Sequence, residues 1–232
     1  ELQINKINQK NMKPVIIIPA YNEATRISEV LEKLMARGHE IIVVDDGSSD
    51  NTFDKANEFP INVARHHTNL GQGAALKTGT ELAKKLNYDL AIHFDADGQH
   101  RLEDLEKMIE LLKEKNLDVV LGSRFLGLDS KLPWKKRLIY WFARRFSRKV
   151  LQLDFTDPQN GLRALRLDKL SLLDWQKYDF QHCSEILGLI KKNKLNYQEI
   201  PIKVNYDEYS QNKKVSPGIS MGFKMIIDKL FN

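Results

Sequence analysis

The sequence of 232 residues contains one cysteine, Cys183, and lacks any apolar run of the roughly 18 residues that a membrane-spanning helix needs. A single cysteine excludes an internal disulfide framework and is typical of a reducing compartment, so we expect a cytoplasmic protein. Its 42% hydrophobic and 29% charged residues are ordinary for a globular protein, and the length suits one large α/β domain.

The first 13 residues are polar and lack the apolar centre of a secretory signal. Because residue 1 is not methionine and Met12 follows, residues 1–13 are predicted to be a disordered tail or an expression remnant. The domain is expected to span 14–214. Residues 215–232 are predicted to form a C-terminal amphipathic helix, with an apolar stripe of Ile219, Phe223, Ile226, Ile227 and Leu230.

Acidic residues are absent between Ser130 and Leu153, whereas eight of the 36 basic residues lie there, so elsewhere 28 basic residues face 31 acidic ones. The positive charge is therefore local, which favours a specific anionic surface over nucleic acid. Aromatic residues such as Trp134 and Trp141 accompany these cations. The segment 131–153 is predicted to lie on an anionic membrane surface; the alternative is a helix packed on the core with a solvated basic face.

Five short apolar runs alternate with helical patterns along the first half of the chain. The runs cover 15–18, with Pro19 ending the strand, then 41–44, 61–64, 90–94 and 118–121. The intervening helices are predicted over 23–37, 51–57, from the glycines to Leu86, and over 102–115. This β-α alternation predicts an α/β fold with an open, mostly parallel, Rossmann-like sheet and helices on both faces.

The stretch Asp95-Ala96-Asp97-Gly98-Gln99 directly follows the fourth run. Alternate residues of an extended chain face the same side, so the oxygens of Asp95, Asp97 and Gln99 can converge on one ion. Oxygen ligands favour Mg²⁺ or Mn²⁺, and Mg²⁺ usually takes only one or two protein carboxylates. The alternative is an Asx turn with Gly98 at its corner.

Polar groups also follow three other predicted strands, at 21–23, 45–46 and 123–124. The carboxyl ends of parallel strands share one edge of a sheet, and ligands bind there. All four groups are therefore predicted to converge on one site, which favours a catalytic metal site over a simple turn.

Gly71 and Gly73 precede a predicted helix, where backbone N–H groups could meet a phosphate. The third glycine of the dinucleotide fingerprint is missing from its place, which excludes that motif. The histidines show no zinc-type spacing; we assign them no role and interpret His93 as a core residue.

In combination, four motifs resemble the family 2 glycosyltransferases of the GT-A fold. They are Pro19-Ala20-Tyr21-Asn22-Glu23, Asp45-Asp46-Gly47-Ser48-Ser49-Asp50, Asn69-Leu70-Gly71-Gln72-Gly73 and Asp95-Ala96-Asp97-Gly98-Gln99-His100. Later motifs are similar to the dolichyl-phosphate mannose synthase and polyprenyl-phosphate glycosyltransferase branch. They are Gly122-Ser123-Arg124, Trp134-Lys135-Lys136-Arg137, Asp157-Pro158-Gln159-Asn160-Gly161-Leu162-Arg163-Ala164 and Glu199-Ile200-Pro201-Ile202.

The resemblance implies a role for each matching site residue. Pro19, Tyr21 and Glu23 would cup the nucleoside and Asp46 would recognise the base. Asp95, Asp97 and Gln99 would hold Mg²⁺ or Mn²⁺ on the diphosphate. Arg124 and Arg137 would bind phosphates of donor or acceptor.

The implied activity is metal-dependent, inverting transfer of a hexose from GDP-mannose or a UDP-sugar to a polyprenyl phosphate, dolichyl or undecaprenyl, at the cytoplasmic face of a membrane. Residues 206–213 depart from the mannose synthases, which puts mannose in doubt. One alternative is a soluble family member that acts on a glycan or another hydroxyl, for which Asp157 or Glu185 would be the base. A nucleotide-binding protein without catalysis is a further alternative. The presence of both metal carboxylates argues against it.

Overall fold

The structure is a computed structural model that describes residues 12–126, 155–179 and 181–205. These residues form a seven-stranded sheet with helices on both faces. The strands are β1 (Pro14–Ala20), β2 (Ile41–Asp45), β3 (Asn62–Arg65), β4 (Leu90–His93), β5 (Val119–Ser123), β6 (Arg163–Arg166) and β7 (Tyr197–Pro201). The α-helices are α1 (Ile27–Ala36), α2 (Thr52–Asn57), α3 (Gln72–Lys85), α4 (Leu102–Glu114) and α5 (His182–Lys192), and a 3₁₀ helix covers Leu167–Leu172.

The strand order is β3-β2-β1-β4-β6-β5-β7. Every neighbouring pair is parallel except the two pairs that involve β6. Since β4 and β5 are both antiparallel to β6, they run in the same direction. The carboxyl ends of β1, β2, β4 and β5 therefore lie at one edge, and the predicted mostly parallel sheet is confirmed.

Alternate residues of β1 pack on opposite faces of the sheet. Ile16 and Ile18 belong to a core cluster completed by apolar residues of α1, α2 and α4. Val15 and Ile17 belong to a second cluster completed by residues of α3 and α5 and by Trp175. These buried faces explain the unalternated apolar runs, because a strand covered on both sides has no polar face. The prediction of helices on both faces is confirmed.

Pro19 does not end the first strand, contrary to the prediction. The strand continues to Ala20, with Pro19 paired to Val44 of β2. The nitrogen of Pro19 faces β4, but the pairing with β4 ends earlier, at Ile17 and His93. No partner strand therefore requires the N–H that proline lacks.

Met12 and Lys13 belong to the domain rather than to a tail. Lys13 donates its N–H to the Asp89 carboxylate at 2.8 Å, and its carbonyl accepts from the N–H of Asp89 at 2.9 Å. Met12 packs against the core. The predictions for residues 1–11, the segment 131–153, Arg137 and 206–232 fall outside the described residues. Within 12–126, 155–179 and 181–205, no helix is both long and apolar enough to cross a membrane.

Candidate active site

Hydrogen bonds join the loops that follow β1 and β2. Asn22, with a left-handed φ of 54°, donates its N–H to Ser48 Oγ at 2.9 Å and accepts from the N–H of Ser49 at 2.9 Å. Glu23 donates its N–H to Thr52 Oγ1 at 2.8 Å. The loop that carries residues 21–23 therefore contacts the loop that follows Asp45 and Asp46. Beside them Tyr21 is 47% exposed, so its ring is accessible to a ligand.

The loop after β4 holds both predicted metal carboxylates. Gln72 Nε2 donates to Asp95 Oδ1 at 2.8 Å, and His100 Nε2 lies 3.3 Å from Asp95 Oδ2. The Asp97 carbonyl accepts from Arg26 Nη1 at 3.0 Å, which ties this loop to the start of α1. A side chain on Gly161 would come within 2.9 Å of Asp95 Oδ2, so the chain that enters β6 closes the site from another side.

Electrostatics distinguish the two carboxylates. Burial, reinforced by the negative charges of Asp95 and Glu23, raises the pKa of Asp97 to about 6. Burial also acts to raise the pKa of Asp95, but the hydrogen bond from His100 and the charge of Arg163 outweigh it and lower that pKa. Asp97 thus carries a charge that its surroundings do not compensate, and a divalent cation would supply the compensation. The donor set fits Mg²⁺ or Mn²⁺.

Gln99 contributes backbone contacts to the metal loop. Its N–H donates to Asp97 Oδ1 at 3.0 Å, and its carbonyl accepts from the N–H of Asn205 at 2.9 Å. Among the described residues, no group of three His, Cys, Asp or Glu side chains is placed to hold an ion. Two carboxylates with other positions left for the oxygens of a ligand are what Mg²⁺ uses in phosphate-binding sites. Gln99 as a third ligand stays a prediction.

The affinity for the metal is expected to depend on pH through Asp97. A protonated Asp97 cannot bind an ion, so Mn²⁺ affinity should be constant above about pH 7 and fall about tenfold per unit below pH 6. In the metal-free protein, the effect of pH on stability has the opposite direction. The pKa of Asp97 in the folded state lies above the 3.8 of a free carboxyl group, so the free energy of unfolding rises as the pH falls through about 6. Calorimetric titration with Mn²⁺ from pH 5 to 8 checks this. Affinity that is flat between pH 5 and 7 would contradict it.

Asp46 anchors the glycine segment 69–73. Its buried carboxylate accepts from the N–H of Leu70 at 3.0 Å and of Gly71 at 2.7 Å, and His66 Nδ1 lies 2.6 Å from Oδ1. Gly73 donates its N–H to the Tyr178 carbonyl at 2.8 Å. The two glycine N–H groups are therefore held by protein acceptors rather than directed at a ligand. Phosphate contacts from these glycines stay a prediction that this geometry does not favour.

Gly71 is required by its backbone and its surroundings. Its φ is +104°, and a Cβ would lie 2.4 Å from the Tyr178 carbonyl oxygen. We expect Gly71→Ala to lower the free energy of unfolding by about 1–3 kcal/mol. Gly188, inside α5 with open space around it, is the matched control, and Gly188→Ala should raise that free energy by about 0.5–1 kcal/mol. Urea denaturation measures both, and equal effects would refute the packing role.

Arg124 and Asp157 form a buried ion pair. Arg124 Nε and Nη2 each donate to Asp157 at 2.7 Å, and the Arg124 N–H donates at 3.0 Å. The Asp157 side chain is 0% exposed. Glu185 accepts from the N–H groups of Gln176 and Lys177 at 3.0 and 2.7 Å. Both carboxylates that the sequence offered as a base are therefore engaged with protein donors.

Sequence reasoning missed three residues that contact the site. His66 and His100 were assigned no role, yet they touch Asp46 and Asp95, and Gln72 joins the glycine segment to Asp95. Their positions were a usable signal, because His66 directly follows β3 and His100 directly follows the metal motif. The core interpretation of His93 is confirmed: it is 1% exposed, and its Nε2 lies 3.0 Å from Thr80 Oγ1.

The sheet is mostly parallel, and its carboxyl edge carries Asp95 and Asp97, a carboxylate pair suited to a divalent ion. A solved glucosyl-3-phosphoglycerate synthase from Mycobacterium tuberculosis, in complex with Mn²⁺ and UDP-glucose, has this fold, with a TM-score of 0.70 and 16% identity over 99% of this chain and 82% of that one. Residues 15–171 match the family described as Glycosyl transferase family 2. The chain belongs to that family.

Two relatives act on lipid phosphates by their names. The UDP-N-acetylglucosamine–dolichyl-phosphate N-acetylglucosaminyltransferase of Methanococcus voltae is 34% identical over 90% of this chain and 92% of its own. The dolichol-phosphate mannosyltransferase of Pyrococcus furiosus is 33% identical over 82% of this chain and 56% of its own. The expected family and its polyprenyl-phosphate branch are thus confirmed, while these two relatives differ in the sugar they transfer.

Proposed function

We propose that the protein transfers a hexose from a nucleotide diphosphate sugar to a polyprenyl phosphate, with inversion and with Mg²⁺ or Mn²⁺. The observation that carries the choice of acceptor is the engagement of Asp157 and Glu185. A hydroxyl acceptor needs a base to remove its proton. A phosphate monoester has a second pKa of about 6 and arrives already ionised, so it needs none.

The metal loop would serve the leaving group. Asp95 and Asp97 would hold the cation, which supplies neutralisation of the charge that develops on the departing diphosphate. Gln72 and His100 each contact Asp95 and would keep its oxygens oriented. Tyr21, with Pro19 and Glu23 beside it, would cup the nucleoside, and Asp46 would contact the base.

The acceptor side would be formed by arginines. Arg124, whose guanidinium is oriented by Asp157, would bind a phosphate of the donor or the acceptor. Arg137 would grip the acceptor phosphate, and residues 131–153 would rest on the anionic cytoplasmic face of a membrane. The cluster of eight cations without an acid in the sequence supports that part of the proposal.

The test is an acceptor panel. The protein is incubated with Mn²⁺ and labelled nucleotide sugars, with polyprenyl phosphate, with unphosphorylated polyprenol, or with soluble glycans. The proposal expects labelled lipid only with the phosphate. Label on polyprenol or on a glycan would establish a hydroxyl acceptor instead, and nucleotide-sugar binding without any transfer would favour the non-catalytic alternative.

The basic segment provides a second test of the acceptor. Arg137→Lys should keep binding to anionic vesicles and lose transfer to polyprenyl phosphate, because an ammonium cannot reproduce the paired hydrogen bonds of a guanidinium. Replacing Arg144, Arg145 and Arg148 by Gln should mainly lose vesicle binding. If the protein ignores vesicles at low salt and both variants stay active on a water-soluble acceptor, the membrane assignment is refuted.

A further inference from the structure

The acceptor capacity of Asp46 is almost used up by the protein itself. A carboxylate offers about four acceptor positions, two on each oxygen. Oδ1 receives His66 Nδ1 at 2.6 Å and the Leu70 N–H at 3.0 Å, which fill both of its positions. From the residues that the structure describes, Oδ2 receives only the Gly71 N–H, at 2.7 Å. One acceptor position is left, and it is on Oδ2.

His66 is fixed at both ring nitrogens, so it cannot easily release Oδ1. With the hydrogen on Nδ1 directed at Asp46, Nε2 accepts from the Thr78 hydroxyl on α3 at 2.9 Å. The backbone N–H of His66 donates to the Asp45 carbonyl at 2.8 Å. The hydrogen bond between the His66 imidazole and Asp46 Oδ1 is therefore held in place by contacts on the other side of the ring.

Nucleobases differ in how many donors they direct at a carboxylate. The pairing edge of guanine has two parallel donors, the ring N1–H and the exocyclic N2–H, which match the two oxygens of a free carboxylate. The pairing edge of uracil has one donor, the ring N3–H. We infer that His66 sets the donor specificity: by filling Oδ1 it makes Asp46 a single acceptor, which selects a uridine nucleotide over a guanosine nucleotide. This inference rests on the proposed contact of Asp46 with the base.

The test compares UDP and GDP by calorimetric titration of the full chain in Mn²⁺. The protein without substitutions should bind UDP about tenfold more tightly than GDP, or better, because guanine would bury a hydrogen-bond donor without a partner. His66→Ala should free Oδ1 and narrow the ratio to within about threefold. His66→Asn, whose amide can donate from the place of Nδ1, should keep the preference. His67→Ala is the matched control at the exposed neighbour, and thermal unfolding verifies that each variant is folded.

The outcomes separate this inference from the proposed function. GDP binding as tight as UDP, or tighter, overturns the inference and leaves the transferase function standing. A uridine preference that is unchanged in folded His66→Ala overturns the role of His66. Failure of both diphosphates to bind with Mn²⁺ present overturns the proposed function and the inference with it.

Discussion

Asp97→Asn is expected to reduce glycosyl transfer by roughly 10²–10³-fold without loss of stability. The substitution keeps the shape of the side chain and removes the charge that would bind the cation. The Gln99 N–H, which donates to Asp97 Oδ1 at 3.0 Å, can donate equally to the Asn amide oxygen. Because burial and the charge of Asp95 raise the pKa of Asp97, the neutral variant should unfold at an equal or slightly higher temperature.

Initial rates with saturating Mn²⁺, together with thermal unfolding, measure this expectation. Asp54→Asn is the matched control, since Asp54 is an exposed carboxylate on α2. Transfer by Asp97→Asn at near-normal rates would remove Asp97 from the metal site. A large fall in melting temperature would instead mean that the loop after β4 depends on its charge for folding.

Asp157→Ala is expected to lower the free energy of unfolding by about 3–5 kcal/mol, because it removes the buried carboxylate that accepts from three N–H groups of Arg124 and from Asn160 Nδ2. For a chain of this size that corresponds to roughly 6–20 °C in melting temperature. The reason is local: the Arg124 side chain is only 11% exposed, so water reaches it poorly once its three charge-assisted hydrogen bonds to Asp157 are lost.

Asp174→Ala is the control, because Asp174 pairs with Lys77 at 2.7 Å but is 60% exposed. That change should cost no more than about 1 kcal/mol. Denaturant unfolding of both variants gives the comparison. If Asp157→Ala is as stable as the unvaried protein and yet inactive, Asp157 acts on the substrate as a base and the argument for an anionic acceptor loses its support.

The sequence predicted those parts of the site that depend on local order along the chain. The end of an apolar run predicted the loop that carries Asp95 and Asp97, and the shared edge of a parallel sheet predicted that this loop meets the segment after β1, as the Arg26 contact shows. Both rules need only the periodicity of a strand and the direction of its neighbours. The loop also contains the Asx turn that the sequence offered as the alternative, with the Gln99 N–H donating to Asp97 Oδ1 and Gly98 at the corner. Buried strands such as β2 were also predicted, because a short, unbroken run of apolar residues is typical of a strand that is covered on both faces.

The remaining features depend on contacts between distant residues. The strand β6 has only four residues, with an arginine at each end, which is too short for a hydrophobic pattern to predict a strand. Its antiparallel position between β4 and β5 cannot be inferred from the order of residues along the chain. The pairs Asp46 with His66 and Gln72 with Asp95 join residues 20 and 23 positions apart. The glycines were predicted to approach a phosphate; the structure shows that Gly71 makes room for a neighbouring loop, which a motif does not reveal.

The central claim is that the acceptor is the phosphate of a lipid, and ³¹P NMR of the reaction tests it most directly. A phosphate monoester that receives a hexose becomes a phosphodiester, and its resonance moves accordingly. With Mg²⁺, which is diamagnetic and leaves the ³¹P signals sharp, a nucleotide sugar and a short-chain polyprenyl phosphate, the account predicts that the monoester signal is replaced by a diester signal. The Asp97→Asn variant should leave the monoester signal unchanged. A monoester signal that persists while nucleoside diphosphate accumulates and sugar appears on a hydroxyl would contradict the account.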